Sequence, residues 1–281
     1  MTDLNSLTFA FIGAGNMSGA ILGGMVKGGV PANNIIATNR TVEKQKALNE
    51  KFGVVTHLSN LDAVNSADVV ILGVKPQMME ATLNELVSSG ADFSDKLVIT
   101  VAAGLHVEKY TNIIGDVRFI RCMPNTPSLV GLGVSGLYVG TNPSTFNAEH
   151  IENDKKITSA MFDSVGISVW LDQESKIDDI AAVSGSGPAY FFLFMECMME
   201  KAKQLGFSQE DANKIVMQTA LGSAQMASKS DDSFEQLRIN VTSPGGSTAE
   251  AIKTFQQQKL DKTVADALDA AVARAKEMSK L

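Results

Sequence analysis

The sequence predicts an α/β protein: an N-terminal doubly wound sheet followed by an all-helical domain. Three observations carry that expectation. Short continuous apolar runs alternate with amphipathic stretches in the first half, a glycine-rich turn closes the first run, and strand-like patterning stops after residue 171. Uninterrupted apolar runs suit strands covered on both faces of a parallel sheet, whereas a half-solvated strand would alternate. Strand–helix–strand repeats imply right-handed crossovers.

In chain order, residues 8–12 form the first expected strand, which stops at Gly13. A helix over 16–27 follows, ended by Gly28-Gly29 and Pro31. Residues 34–38 read as a second strand and 42–52 as a second helix. The runs 68–73 (DVVILG) and 96–101 (KLVITV) read as fully buried strands, and 118–123 and 134–139 add two more. The segment 167–171 (ISVWL) reads as the last strand. Helical patterns then cover 190–205, 209–229 and 249–280, the last broken near Lys259. The expected domains are therefore 1–172 and 173–281.

Composition narrows the function classes. Across 281 residues, 24 basic and 31 acidic side chains leave a net charge of -7. Nucleic acid is an unexpected partner for such a chain, because a phosphate backbone needs a clustered positive field. Cys122 and Cys197 lie far apart, with neither disulfide-framework nor zinc spacing, which favours a reduced cytoplasmic protein. The N-terminus lacks a signal-peptide pattern. The most apolar run, 189–195, falls far short of the roughly 20 residues that span a bilayer, so no membrane partner is expected.

The turn Gly13-Ala-Gly15-Asn16-Met17-Ser18-Gly19 sits between a strand and a helix, the context of a dinucleotide fingerprint and a Rossmann-like domain. Gly13 permits the tight turn, Gly15 lets the backbone approach a pyrophosphate, and small Ser18 allows close helix–strand packing. The free helix N–H groups meet the negative charge. The second strand ends in Thr38-Asn39-Arg40-Thr41 and not in the acidic residue of an NAD site. Arg40 suits a phosphate, with donors at Asn39 and Thr41, so NADPH is the expected cofactor and NADH the less preferred one. Val74-Lys75-Pro76 follows another strand at the ligand-binding edge, where Lys75 either touches the cofactor or caps the strand. Ala102 and Asn125 end later strands at the same edge, and the Asn125 amide suits a nicotinamide.

In the second half, Val183-Ser-Gly-Ser-Gly-Pro188 opens a helix whose FFLFMECMME stretch is apolar around much of its circumference. A subunit interface is its natural cover, with an internal core as the alternative. Glu196 and Glu200 share a helical face, but two carboxylates are too few for a metal site, and no metal is expected. Ser243-Pro244-Gly245-Gly246-Ser247-Thr248 precedes another helix. Its glycines permit unusual backbone angles, and its hydroxyls lie beside free helix N–H groups, so it can hold a small carboxylate. An ordinary N-cap is the simpler use of such a segment. His57, His106 and His150 lie beside neither this loop nor the Met123-Pro124-Asn125-Thr126-Pro127 turn and read as structural.

Taken together, FIGAGNMSGAI, TNRT, VKPQ, RCMPNTP, AVSGSGPAYFF and VTSPGGST resemble the pyrroline-5-carboxylate reductase family over nearly the whole chain. The resemblance implies reduction of the cyclic imine Δ1-pyrroline-5-carboxylate to L-proline by hydride from NADPH. It also implies a helical domain that interleaves with a second subunit, and dimers that assemble into a ring of five. Substrate would lie between the nicotinamide and the SPGGST loop of the paired subunit. Thr248 would hydrogen-bond the ring nitrogen, and Ser243 with the amides of Gly246 and Ser247 would hold the carboxylate. Ser18 and Ser247 stand where alanine or threonine is common in that family. Three rivals are weaker. A β-hydroxyacid dehydrogenase needs a lysine within 187–199, where there is none, and a ketol-acid reductoisomerase needs more acidic ligands. An NADP-binding sensor would have no need of Thr248.

Overall fold

A computed structural model describes residues 4–279. The described chain divides into two compact units, residues 4–186 with 272–279, and residues 187–271. The first unit contains β1 (Phe9–Ile12), α1 (Asn16–Lys27), β2 (Ile35–Thr38), α2 (Val42–Phe52), α3 (Asn60–Ser66), β3 (Val69–Leu72) and α4 (Pro76–Ser88). It continues with β4 (Leu97–Thr100), α5 (Val107–Ile114), β5 (Arg118–Met123), β6 (Gly133–Val139), α6 (Ala148–Asp163), β7 (Gly166–Leu171) and α7 (Lys176–Ile180).

The seven strands form one sheet in the order β2-β1-β3-β4-β5-β6-β7. Every neighbouring pair is parallel except β5 with β6. β1 to β4 are buried at every position. Because side chains alternate between faces, Phe9 and Phe11 enter one core while Ala10 and Ile12 enter the other. The continuous apolar runs thus fill two cores from one strand, as the doubly wound reading requires. The chain leaves β1 for β2 on one side and returns to β3 on the other. That reversal opens a crevice at the C-terminal ends of β1 and β3, the usual ligand position in such sheets.

The second unit is helical: α8 (Gly187–Gln204), α9 (Gln209–Ser228), α10 (Phe234–Asn240), α11 (Ser247–Gln257) and the first part of α12 (Leu260–Met278). The expected break near Lys259 separates α11 from α12. Lys259 is the non-glycine residue with positive φ among the described residues, at 55°. Residue 280, the end of the expected last helix, lies outside the described residues.

Strands end near residue 172, but packing divides the chain later, at Gly187. The reason is that α7 and the π-helical turn Ala181–Gly185 still belong to the sheet: Ile177 and Asp178 are buried, and Asn125 bonds the Ser184 carbonyl. Both cysteines are unpaired, Cys122 buried and Cys197 exposed. Helical backbone runs on from Lys176 to Gln204, and these 29 residues are long and apolar enough to cross a membrane by length and composition alone. The run 189–195 underestimates this span, because it stops at Glu196 whereas the helix does not.

Candidate functional site

The crevice at the end of β1 is shaped by backbone. Gly13 has φ +83°, and a Cβ there would lie 2.4 Å from Val74 Cγ1 and 2.9 Å from the Val74 nitrogen. No L side chain fits both the angle and the space. Ser18 is buried, and its Oγ lies 2.3 Å from where a Cβ on Gly73 would stand, so α1 and the end of β3 approach closely. Gly15 is the opposite case: a Cβ there would meet nothing within 4 Å. It is also the N-cap of α1, and no side chain caps the helix. The first-turn amides around Asn16, Met17 and Ser18 therefore stand ready for an anion, beside open space at Gly15. A cleft of about 470 Å³ starts at Ala14, Gly15 and Asn16 but runs down the flank of α1 to Lys27, between α2 and residues 128–131, away from the end of β3. The turn and its first-turn amides fit a dinucleotide pyrophosphate.

At the end of β2, the structure gives Asn39 a task the sequence did not show. Its Nδ2 donates to the Ala14 carbonyl at 2.8 Å, while its Oδ1 accepts from the Thr41 amide at 2.9 Å. Its own carbonyl accepts from Gln45 Nε2 at 2.6 Å. Asn39 thus ties the glycine turn to β2. Arg40 is exposed, with Nη2 3.2 Å from Met78 Sδ, and Thr41 is the N-cap of α2 without a side-chain capping bond. The remaining N–H groups of Arg40, the Thr41 hydroxyl and the second N–H of Asn39 are left as donors of the turn. Lys75 is exposed at the N-cap of α4, makes no side-chain capping bond, and Pro76 opens that helix.

Farther along the same edge, the Ala102 amide donates to Thr100 Oγ1 at 3.2 Å, and Thr100 Oγ1 lies 2.7 Å from the Tyr110 hydroxyl. Burial pushes Tyr110 up to about 12, so this phenol stays neutral. Asn125 is buried and bridges two segments: Nδ2 donates to the Ser184 carbonyl at 2.9 Å, and Oδ1 accepts from the Val134 amide at 2.8 Å. Its acceptor is engaged, which leaves one N–H.

A polar cluster beneath this edge escaped the sequence reading. Arg121, 1% exposed, bonds Glu174 Oε1 at 2.9 Å and Asp178 Oδ1 at 3.1 Å. His106 Nδ1 lies 3.3 Å from the same Glu174 oxygen. An arginine inside the apolar run RFIRCM was the available signal, since a buried charge demands a partner.

The second unit carries the other candidate loop. Gly245 has φ +72°, the Gly246 amide donates to the Ser243 carbonyl at 3.0 Å, and Gly246 caps α11 without a side-chain bond. Thr242 is occupied, its hydroxyl donating to the Arg238 carbonyl at 2.6 Å. Ser243, Ser247 and Thr248 are exposed, and no hydrogen bond within the described residues engages their side chains. This is an uncapped helix start with hydroxyls to spare, more than an ordinary N-cap needs. No group of three or more His, Cys, Asp or Glu among the described residues could hold a metal ion.

A doubly wound sheet with this turn, followed by a helical unit with its own uncapped, hydroxyl-bearing helix start, has the architecture of a nicotinamide-dependent oxidoreductase. A family model described as "NADP oxidoreductase coenzyme F420-dependent" matches residues 8–104, and one described as "Pyrroline-5-carboxylate reductase dimerisation" matches 174–278. A pyrroline-5-carboxylate reductase of Vibrio alginolyticus is 45% identical over 97% of each chain. The solved structure of a Coxiella burnetii pyrroline-5-carboxylate reductase superposes with TM-score 0.90 at 40% identity, covering 99% of this chain and 100% of that one. A Plasmodium falciparum pyrroline carboxylate reductase with NADP bound reaches TM-score 0.81 at 29% identity, covering 98% and 99%. The chain belongs to the pyrroline-5-carboxylate reductase family.

Proposed function

We propose that this protein reduces Δ1-pyrroline-5-carboxylate to L-proline with NADPH, the last step of proline biosynthesis. One observation carries the reading: among the described residues two helices start at a glycine N-cap with no side-chain cap, one behind a dinucleotide turn and one beside three unengaged hydroxyls. The first suits a nucleotide and the second a small carboxylate.

Gly13, Gly15, Asn16, Met17 and Ser18 hold the pyrophosphate through backbone N–H groups. Arg40 and Thr41 take the 2′-phosphate, with Asn39 setting the turn that presents them. Val74, Lys75, Pro76, Ala102 and the remaining N–H of Asn125 line the rest of the cofactor. When bound, NADPH supplies a hydride to the imine carbon. Ser243, Gly245, Gly246 and Ser247 hold the substrate carboxylate, and the Thr248 hydroxyl hydrogen-bonds the ring nitrogen. A protonated imine is already electrophilic: it gains two electrons and one hydrogen at carbon and becomes a secondary amine. The chain therefore has chiefly to align donor and acceptor. With Arg40 and no acidic residue at the end of β2, NADH is the less preferred donor.

The exposed aromatic face of α8 is covered by a second copy of the chain, not by lipid, and the dimers assemble into a ring of five in the cytoplasm. The dimerisation family model over this region supports self-association. The absence of lysine from 187–199 weighs against a hydroxyacid dehydrogenase.

The test follows NADPH absorbance with pyrroline-5-carboxylate supplied. Substrate-dependent oxidation is expected, and its absence under conditions where NADPH binds would sink the reading. Thr248→Ala should lower turnover roughly 10- to 100-fold while NADPH still binds, the loss of one well-placed hydrogen bond to the reacting group.

A further inference from the structure

The sheet register sets a polar row across an apolar sheet: Thr100 on β4 is paired with Arg121 on β5, and Arg121 with Tyr138 on β6. Arg121 is the charged member of that row and is buried at 1% exposure. Such a cation needs partners, and both of its carboxylates come from the segment after β7: Glu174 at 2.9 Å and Asp178 at 3.1 Å.

Glu174 does more than neutralise Arg121. The same Oε1 accepts from the amide of Val107, the first residue of α5, at 2.8 Å. The loop 101–106, which joins β4 to α5 and carries Ala102 and Gly104, is thereby held at both ends. At its start the Ala102 amide is fixed by Thr100 Oγ1, itself 2.7 Å from the Tyr110 hydroxyl. At its end the Val107 amide is fixed by Glu174, a residue 67 positions away in sequence. The first clamp is local to β4 and α5. The second is supplied by the stretch that leads into α7.

We infer that Glu174 is a positioning residue for the cofactor: through Val107 and Arg121 it sets the backbone of the 101–106 loop against bound NADPH. This rests on the assignment of Ala102 to the cofactor edge. Losing Glu174 leaves the Val107 amide without its acceptor and Arg121 with Asp178 and, at 3.4 Å, His106 Nδ1. The loop then samples positions that no longer match the cofactor, and NADPH affinity falls, while the substrate carboxylate loop in the second unit keeps its own hydrogen bonds.

Two variants separate this role from plain support of the fold. Glu174→Gln keeps a carbonyl oxygen for Val107 but drops the charge facing Arg121; Glu174→Ala removes both. For Glu174→Ala we expect KM for NADPH to rise roughly tenfold, with kcat and KM for pyrroline-5-carboxylate within about twofold. For Glu174→Gln the rise in KM for NADPH should be smaller, about threefold, a graded rescue. Direct NADPH titration of the wild-type protein runs alongside. Wild-type protein that does not bind NADPH would overturn the cofactor assignment itself. Wild-type binding with KM for NADPH unchanged in both variants would overturn only the role of Glu174. A lower thermal midpoint with unmoved KM for NADPH would likewise reduce Glu174 to structural support. If Glu174→Ala fails to fold, Glu174→Gln decides: an unchanged KM for NADPH overturns the inference.

Discussion

The two units solve the burial problem in opposite ways. In the sheet unit, β1 to β4 are buried at every position and feed two separate cores. In the helical unit, α10, α11 and α12 bury no residue at all, and α8 buries only Gly187. Phe191 is 73% exposed and Phe192 66%, on a helix whose neighbours Leu193 and Phe194 are exposed as well. Regular helices do not by themselves make a core. The sheet unit is complete within one chain, whereas the helical unit presents a core cut in half. The proposed cofactor turn lies in the self-sufficient unit, and the proposed carboxylate loop lies in the stretch matched by the dimerisation family model.

The harshest challenge to that comparison is Phe191→Glu combined with Phe192→Glu. In a two-fold symmetric interface each substitution acts twice, and each buried aromatic side chain contributes about 1.5–3 kcal/mol. The variant should elute as a monomer in size exclusion with light scattering and lose roughly 100-fold or more of its turnover. NADPH binding by the sheet unit should survive. A variant that stays associated and active would mean that α8 is not the covered face.

The next effect contrasts two glycines of one turn. Gly13→Ala forces an L side chain into φ +83° against Val74, a strain of about 1–2 kcal/mol before the clash is counted, so its thermal midpoint should fall together with NADPH affinity. Gly15→Ala meets no protein atom within 4 Å. Its midpoint should therefore hold while KM for NADPH rises roughly tenfold, because the added methyl occupies the ligand's approach. A Gly15→Ala protein that loses stability but binds NADPH normally would move Gly15 from the cofactor site to the fold.

What was legible in the sequence followed from local backbone chemistry. The glycine turn at 13–19, the stop at Gly28-Gly29, the break near Lys259 and the SPGGST helix start are each written within a few residues. The site's remaining structure depends on partners far along the chain. Asn125 looks like a free amide until Ser184, 59 residues on, takes one of its two N–H groups and Val134 its oxygen. Asn39 looks like a free amide, yet one of its N–H groups goes to the carbonyl of Ala14, 25 residues back. Arg121 and Glu174 are 53 residues apart. Helices such as α3, with seven residues and two buried side chains, carry too little periodicity to stand out. The antiparallel joint between β5 and β6 is likewise a matter of where the chain returns, not of which residues it contains.

The smallest expected effect lies inside the complete unit, at its one poorly served carboxylate on α6. Asp154 is buried and bonds Arg118 Nη1 at 2.9 Å, but its Oδ2 and the hydroxyl of Thr158, one turn on, have no hydrogen-bond partner among the described residues. Burial lifts its pKa from 3.8 to about 6, against the opposing pull of Arg118 and His150. An acid whose folded pKa is raised holds its proton more tightly in the fold than in the unfolded chain. Its contribution therefore falls as pH rises from about 4 to about 6 and stays lost above that, by at most on the order of 3 kcal/mol. Asp154→Asn keeps an oxygen for Arg118 and cannot ionise. Relative to wild type, it should be more stable at pH 7.5 than at pH 4.5, with the gap in thermal midpoint shifting by a few degrees and turnover unchanged. A gap that does not move across that pH range would show that solvent reaches Asp154, and that even the sheet unit is less closed than its strands make it.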